Sequence, residues 1–245
     1  MSMRVLITRP EPDGTRTAEA LRARGHAVLV SPVLHMEPVN VKIPEGQFAG
    51  VVFTSINAVR ATAAHPEHTA ILTLPVFAVG SRTAEAARGM GFDDVRSANG
   101  NSNDLLQLLN ARTASCDPYL YLAGEERAGD LGQSQNIVTV VVYRMRAVEY
   151  LSAAVDQALR AHQVDGVLHF SARSAQAYVD CCARAEILQR AFAPVQFCLS
   201  AQVAAPLATA GAPVIRTASR PHETELIALV CEEARTRLTS SGQRH

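Results

Sequence analysis

The chain repeats itself, and that repetition limits its folds more than any other feature. Val51-Val52-Phe53-Thr54-Ser55-Ile56-Asn57-Ala58 recurs as Leu168-His169-Phe170-Ser171-Ala172-Arg173-Ser174-Ala175, an offset of 170 − 53 = 117. Phe77-Ala78-Val79-Gly80-Ser81-Arg82-Thr83-Ala84 is echoed by Phe197-Cys198-Leu199-Ser200-Ala201-Gln202-Val203-Ala204, an offset of 197 − 77 = 120. Asp104-Leu105-Leu106 and Glu225-Leu226-Ile227 form a third pair, offset by 226 − 105 = 121. Any two strand-turn-helix units yield one such match. Three in the same order at nearly constant spacing predict two similar α/β units.

The hydrophobic pattern supports this. Val5-Leu6-Ile7-Thr8 and Ala27-Val28-Leu29-Val30 read as buried strands, with a helix from Thr15 to Gly25 between them. From Val33 to Lys42 the chain is extended, because Pro32, Pro38 and Pro44 forbid a helix. Strands at Gly50–Thr54, Pro75–Val79, before Val95 and at Tyr119–Leu122 then alternate with helices at 57–64, 83–90 and 102–111. A β-branched strand follows from Ile137 to Tyr143. The last third repeats the alternation, with helices at 152–162, 174–190, 203–210 and 223–238, and a disordered tail from Thr239.

Such alternation implies parallel sheets with helices on both faces. The second copy lacks an opening β-α-β, and the N-terminal segment supplies one. One domain is therefore expected to be discontinuous, made of residues 1–36 and 149–245. Residues 37–148 form the other, inserted between. The two crossings, near Val33–Val39 and Val142–Val148, are strand-like and suited to pairing as a two-stranded linker.

Composition excludes several functions. The 23 basic and 23 acidic residues cancel, so no net positive field favours nucleic acid. No apolar run reaches the length of a membrane span, and the N-terminal run is too short for a signal-peptide core. The five cysteines are odd in number and form no CxxC pair, which reads as free thiols of a cytoplasmic protein. Lys42 is the only lysine, and its place between Val41 and Ile43 suits neither a phosphate loop nor a Schiff base. His65 and His68 have a metal-like spacing but no cysteine or acid partner. His169, within a strand, reads as a core residue.

In open parallel sheets, ligands bind beyond the carboxyl ends of the strands. Those ends carry Thr8-Arg9, Thr54-Ser55, Gly80-Ser81-Arg82, Ala123-Gly124, Ser171 and Ser200. Most lead into helix N-termini, whose free N–H groups suit carboxylates or phosphates. Each hydroxyl residue alone reads as a plain N-cap. Matched loops in both halves point to a shared cleft for a molecule with many anionic groups. Arg9, Arg82, Arg127 and Arg173 lie in these loops and are suited to bidentate carboxylate binding. Arg144 lies in a crossing strand. Tyr143 ends the Val140-Val141-Val142 run, where its phenol serves either as a proton donor or as linker packing.

The ordered set of matches resembles the uroporphyrinogen-III synthase family. It comprises Val5-Leu6-Ile7-Thr8-Arg9-Pro10, Phe53-Thr54-Ser55 with Asn57-Ala58-Val59, and Val79-Gly80 with Thr83-Ala84. It continues through Gly124 with Arg127, Val142-Tyr143, Phe170-Ser171 with Ser174, and the segment from Ala218 to Leu226. The resemblance implies two flavodoxin-like domains joined by a two-stranded linker. It also implies the substrate hydroxymethylbilane, a linear tetrapyrrole with eight carboxylates, and chemistry without cofactor or metal. Tyr143 matches the family's linker tyrosine, a candidate for assisting loss of the terminal hydroxyl. Thr83 matches a cleft threonine, and Ser55, Ser171 and Ser174 match cleft-lining positions. Val203 falls where the family commonly has a hydroxyl residue, so Ser200 or Gln202 would serve there. The stretch 131–138 is shorter than the family's. The expected substrate-binding set is thus Arg9, Thr54, Ser55, Asn57, Arg82, Thr83, Gly124, Arg127, Ser171, Arg173, Ser174, Ser200 and Gln202, in a monomer. A two-lobed protein that binds an anionic small molecule without chemistry, or an inactive synthase homologue, would share most of these features.

Overall fold

The structure, a computed structural model, describes residues 2–98, 102–110, 116–126, 131 and 136–242. Its contacts divide the chain into two compact units, Met1–His35 with Arg146–His245, and Met36–Met145.

The first unit holds a five-stranded parallel sheet. Its strands are β1 (Arg4–Ile7), β2 (Ala27–Val30), β9 (Gly166–His169), β10 (Val195–Cys198) and β11 (Ile215–Thr217). Their order is β11-β10-β9-β1-β2, and every pairing is parallel. Numbered within the unit this is 2-1-3-4-5, the flavodoxin-like order. Around it lie α1 (Asp13–Arg22), α5 (Ala153–Arg160), α6 (Ala172–Arg184), α7 (Leu188–Ala191), α8 (Ala201–Thr209) and α9 (Glu223–Gly242).

The second unit has β3 (Leu34–Pro38), β4 (Gly50–Phe53), β5 (Val76–Val79), β6 (Val95–Ala98), β7 (Tyr119–Gly124) and β8 (Ile137–Ala147), ordered β3-β8-β7-β4-β5-β6. Its helices are α2 (Ile56–Ala63), α3 (Ser81–Met90) and α4 (Ser102–Asn110), with a 3-10 turn at His68–Ile71. From β8 to β6 the order is again flavodoxin-like but permuted: the pair β7-β8 occupies the place that β1-β2 hold in the first unit. The chain passes between the units along β3 and β8. Val39 N–H donates to Val142 O at 2.9 Å and Val148 N–H to Val33 O at 3.0 Å, so one index rises as the other falls, as in an antiparallel ladder.

The central strands are buried on both faces, and their alternation divides them cleanly. Val51 and Phe53 of β4 join Val76 and Ala78 of β5 and Leu120 and Leu122 of β7 in one core. Val52, Phe77, Tyr119 and Tyr121 join Leu105 of α4 in the core on the other face. Two glycines at strand starts make room for an aromatic ring on the next strand. A Cβ on Gly50 would stand 2.7 Å from Phe77 Cε2, and one on Gly166 would stand 2.6 Å from Phe197 Cε2.

These paired glycines correct the register of the first repeat. Ser55 caps α2 and Ser171 caps α6, so the structural offset there is 171 − 55 = 116, not 117. Phe53 corresponds to His169, and Thr54 to Phe170. Two further expectations change. The helix expected over 174–190 is two helices, because Glu186 adopts a left-handed φ of 55°. There Ile187 N–H bonds Cys182 O at 2.9 Å and Glu186 N–H bonds Ala183 O at 3.0 Å, the Schellman closure without its usual glycine. At the other end, α9 carries Thr239 to Gly242 rather than fraying at Thr239.

His169 is fully buried and neutral. Gln196 uses its amide N–H groups on Ala191 O at 3.1 Å and Pro194 O at 2.8 Å, so its oxygen faces His169 Nε2 at 3.0 Å and fixes the proton there. Nδ1 has no partner. Burial pushes the imidazole pKa down to about 4. An unfolded chain takes up this proton below about pH 6.5 and the folded one does not, so stability falls on acidification between those values. The slope is at most about 1.4 kcal/mol per pH unit. Urea unfolding at pH 7 and pH 5 should show wild type losing about 1–2 kcal/mol more than His169→Gln. Equal losses would mean that the imidazole protonates within the fold.

Candidate functional site

Flavodoxin-like sheets reverse strand order once, and ligands bind at that switch point beyond the carboxyl ends. In the second unit the switch lies between β7 and β4. It gathers Gly124, Thr54, Ser55 and Tyr143.

A bulge places the tyrosine. Ala123 pairs with Val141, but the next residue, Gly124, pairs with Tyr143, so the ladder skips Val142. The phenol then lies over Gly124, where a Cβ would stand 2.7 Å from Cζ and 2.8 Å from the hydroxyl oxygen. Tyr143 is 8% exposed, and its hydroxyl donates to Ser55 Oγ at 3.2 Å. That same Oγ accepts the Asn57 N–H at 3.1 Å, capping α2. Thr54 Oγ1 and Tyr121 Oη lie 2.8 Å apart. The Asn57 side chain accepts from Arg60 at 3.4 Å and approaches Met145 Sδ at 4.0 Å. On the next strand, Gly80 adopts a φ of 81° as the N-cap of α3 and offers no capping side chain. Thr83 is buried in the first turn of that helix, and Arg82 is exposed. Arg144 pairs with Glu37 at 3.2 Å. Arg127 lies outside the described residues.

In the first unit the switch lies between β1 and β9. Ser171 Oγ donates to Ser174 Oγ at 2.8 Å and accepts the Ser174 N–H at 3.0 Å, capping α6. Ser174 is buried, and Arg173 beside it is half-buried. Ser200 caps α8 through the Val203 N–H at 3.4 Å. Val203 is packed inside, so its backbone serves here while Gln202 stands exposed. Arg9, expected as a substrate arginine, already holds carboxylates: Asp13 and Glu223, each at 3.2 Å. Its guanidinium lies 4.5 Å from the Phe170 ring centroid. Arg16 joins this group, 3.3 Å from Asp13 and 2.8 Å from Glu223, and Thr17 Oγ1 donates to Glu223 Oε1 at 2.6 Å.

The sequence reading missed Arg16, Thr17 and Glu223. Asp13 between Arg9 and Arg16 is a readable helical charge pattern. Glu223 comes from 207 positions beyond Arg16, and no local signal announces it.

Several other reactive groups are engaged or buried, whereas the Cys116 thiol is exposed. His65 Nε2 lies 2.7 Å from Val41 O and its Nδ1 accepts the Glu67 N–H at 3.2 Å, so backbone groups occupy that ring. Burial pushes the Cys182 and Cys198 thiols up to about 12, away from nucleophilic use. No three His, Cys, Asp or Glu side chains among the described residues converge as metal ligands. No helix among them is long and apolar enough to cross a membrane. A cavity of about 600 Å³, lined by Ile43, Phe48, Ile71 and Leu74 among others, opens at the amino ends of the second sheet, away from its switch point.

Solved structures that share the fold include two uroporphyrinogen-III synthases. A uroporphyrinogen-III synthetase from Helicobacter pylori matches with a TM-score of 0.65 at 17% identity, covering 95% of this chain and 99% of that one. A mutant uroporphyrinogen III synthase from the extremely thermophilic bacterium Thermus thermophilus matches with a TM-score of 0.53 at 14% identity, covering 96% and 100%. At such identities the likeness speaks for the fold alone. A search of curated protein sequences finds no match. The family model described as uroporphyrinogen-III synthase HemD matches residues 15–228, nearly the whole chain, and on that match the chain belongs to the uroporphyrinogen-III synthase family.

Proposed function

We propose that the chain converts hydroxymethylbilane to uroporphyrinogen III, with loss of water and inversion of the last pyrrole ring. Family membership over residues 15–228 is the observation that carries this reading. The placement of hydroxyl groups at two switch points supports the assignment of roles.

The terminal hydroxymethyl carbon bears the leaving group. The lone pair of the adjacent pyrrole nitrogen forms a C=N bond as the C–O bond breaks, giving an azafulvene cation. The departing oxygen takes a proton and leaves as water. The substituted α-carbon of the last pyrrole ring, at the other end of the linear chain, attacks that cation first and forms a spiro centre. Cleavage of the bond that joined this carbon to the preceding ring leaves a second azafulvene cation there. The free α-carbon of the last ring closes onto it, which inverts the ring, and that carbon then loses its proton.

Tyr143 is suited to assist the first step. Its hydroxyl rests on Ser55 Oγ, which the Asn57 N–H also engages, so the phenol is held in place without being consumed by a charge. When substrate binds, the proton turns from Ser55 to the leaving oxygen. The nitrogen lone pair supplies most of the push, so the donor contributes less than the ~10²–10⁴ usual for general acids. Selectivity rests on positioning, because spontaneous closure gives the type I isomer. Ser55, Thr83, Ser171, Ser174 and Ser200, with the amides they flank, are proposed to meet the carboxylates. Gln202, Arg82, Arg127 and Arg173 are proposed to extend that set. The chemistry needs no cofactor, and the free thiols suit the cytoplasm.

Separation of the oxidised porphyrin isomers after incubation with hydroxymethylbilane tests the reading. Wild type should give mainly type III, and Tyr143→Phe should turn over more slowly with the same isomer. Type I alone, formed at the buffer rate by wild type, would overturn the assignment. A second variant tests the tyrosine's placement. Gly124→Ala puts a methyl group where the phenol now lies, so it should slow turnover at least as much as Tyr143→Phe while leaving hydroxymethylbilane KM within about threefold. Wild-type kcat for Gly124→Ala would show that the phenol's position is immaterial.

A further inference from the structure

We infer that Arg9, Arg16 and Thr17 form a carboxylate subsite at the first unit's switch point, occupied in this structure by the chain's own Glu223. The inference names part of the ligand-binding face and rests on the polycarboxylate reading above.

One carboxylate here is satisfied from three sides. Glu223 Oε2 takes Arg9 at 3.2 Å and Arg16 at 2.8 Å, and Oε1 takes the Thr17 hydroxyl at 2.6 Å. The donors come from α1 and the loop before it, whereas Glu223 enters from α9. Two features hold the receptor ready when Glu223 leaves. Asp13 keeps both arginines, at 3.2 and 3.3 Å, and the Phe170 face supports the Arg9 guanidinium at 4.5 Å. The site is accessible from one edge: Arg9 is 16% exposed, Glu223 26% and Arg16 48%.

Charge supplies the selectivity. With Glu223 in place, two arginines and two acids cancel. When it swings out, Arg9, Arg16 and Asp13 leave one net positive charge. Glu223 is tethered, so it competes at a high effective concentration, and a simple carboxylate displaces it poorly. A ligand with several carboxylates, anchored elsewhere, can make the exchange. The chemical class is therefore an acetate or propionate arm of a polycarboxylate.

The test measures binding of uroporphyrin I, a non-reacting octacarboxylate fluorophore, beside hydroxymethylbilane kinetics. Glu223→Gln keeps the shape and removes the competing charge. Its Kd for uroporphyrin I should fall about 3–10-fold, with a steeper salt dependence. Arg16→Gln should raise Kd by a similar factor and provides a second route should Glu223→Gln fail to fold. An unchanged or higher Kd for folded Glu223→Gln, or an unchanged Kd for Arg16→Gln, would overturn the inference. The two readings separate cleanly. Tighter porphyrin binding without wild-type turnover keeps the subsite and removes the synthase assignment. Normal turnover with unchanged KM in Glu223→Gln does the reverse.

Discussion

Between β7 and β4, and again between β1 and β9, successive segments of chain leave the sheet in opposite directions. The gap this opens at the carboxyl ends is the constraint on which the site depends. β4, β9 and β10 each feed a helix after only two residues, so the hydroxyl residues that cap those helices collect at the carboxyl ends of their sheets. At the two reversals, side chains from flanking strands and loops fill the space. In one unit these are Tyr143 and Ser55, with Gly124 supplying the room. In the other they are Arg9 and Phe170, with three more charged residues around them.

The two reversals are filled by different chemistry, although the units share an architecture. The permutation explains this. In the second unit the strand beside β7 is β8, a long strand on which the chain leaves the unit, and its bulge turns a tyrosine inward. In the first unit the equivalent place belongs to β2, a short edge strand with no such bulge. Its switch point is instead closed by helix N-termini that carry acids, Asp13 on α1 and Glu223 on α9, which suit the positive ends of those helices. The arginines between them are neutralised at home. The charges of this cluster are thus met within the unit.

Much of this was legible in the sequence, for physical reasons. Buried parallel strands are continuous apolar runs, so Val5–Ile7, Val51–Phe53 and Val167–Leu168 announced themselves. Glycine, proline and serine marked most turns. The register of the repeat was misread by one because Phe53 and Phe170 look alike, whereas the packing is set by Gly50 and Gly166, whose role appears only when Phe77 and Phe197 are seen above them. The break at Glu186 was illegible because no glycine signals that left-handed turn. Tyr143 stands out at the end of a β-branched run, where its phenol reads as donor or as packing and only the family resemblance favours a donor; the bulge that aims it leaves no trace in residue identity. Arg9 was found and its environment was not. A loop arginine reads the same whether it faces water or a carboxylate from a helix some 200 positions away.

The account stands on ligand binding at the carboxyl ends of both sheets. Backbone amide shifts of isotope-labelled protein, followed through a titration with uroporphyrin I, report this residue by residue. The largest saturable changes should fall on the amides after the helix caps, at 56–58, 81–84, 172–174 and 201–203, with smaller ones near Arg9. Changes concentrated instead at the amino ends, around Ile43, Phe48 and Leu74, or spread evenly without saturation, would contradict the account.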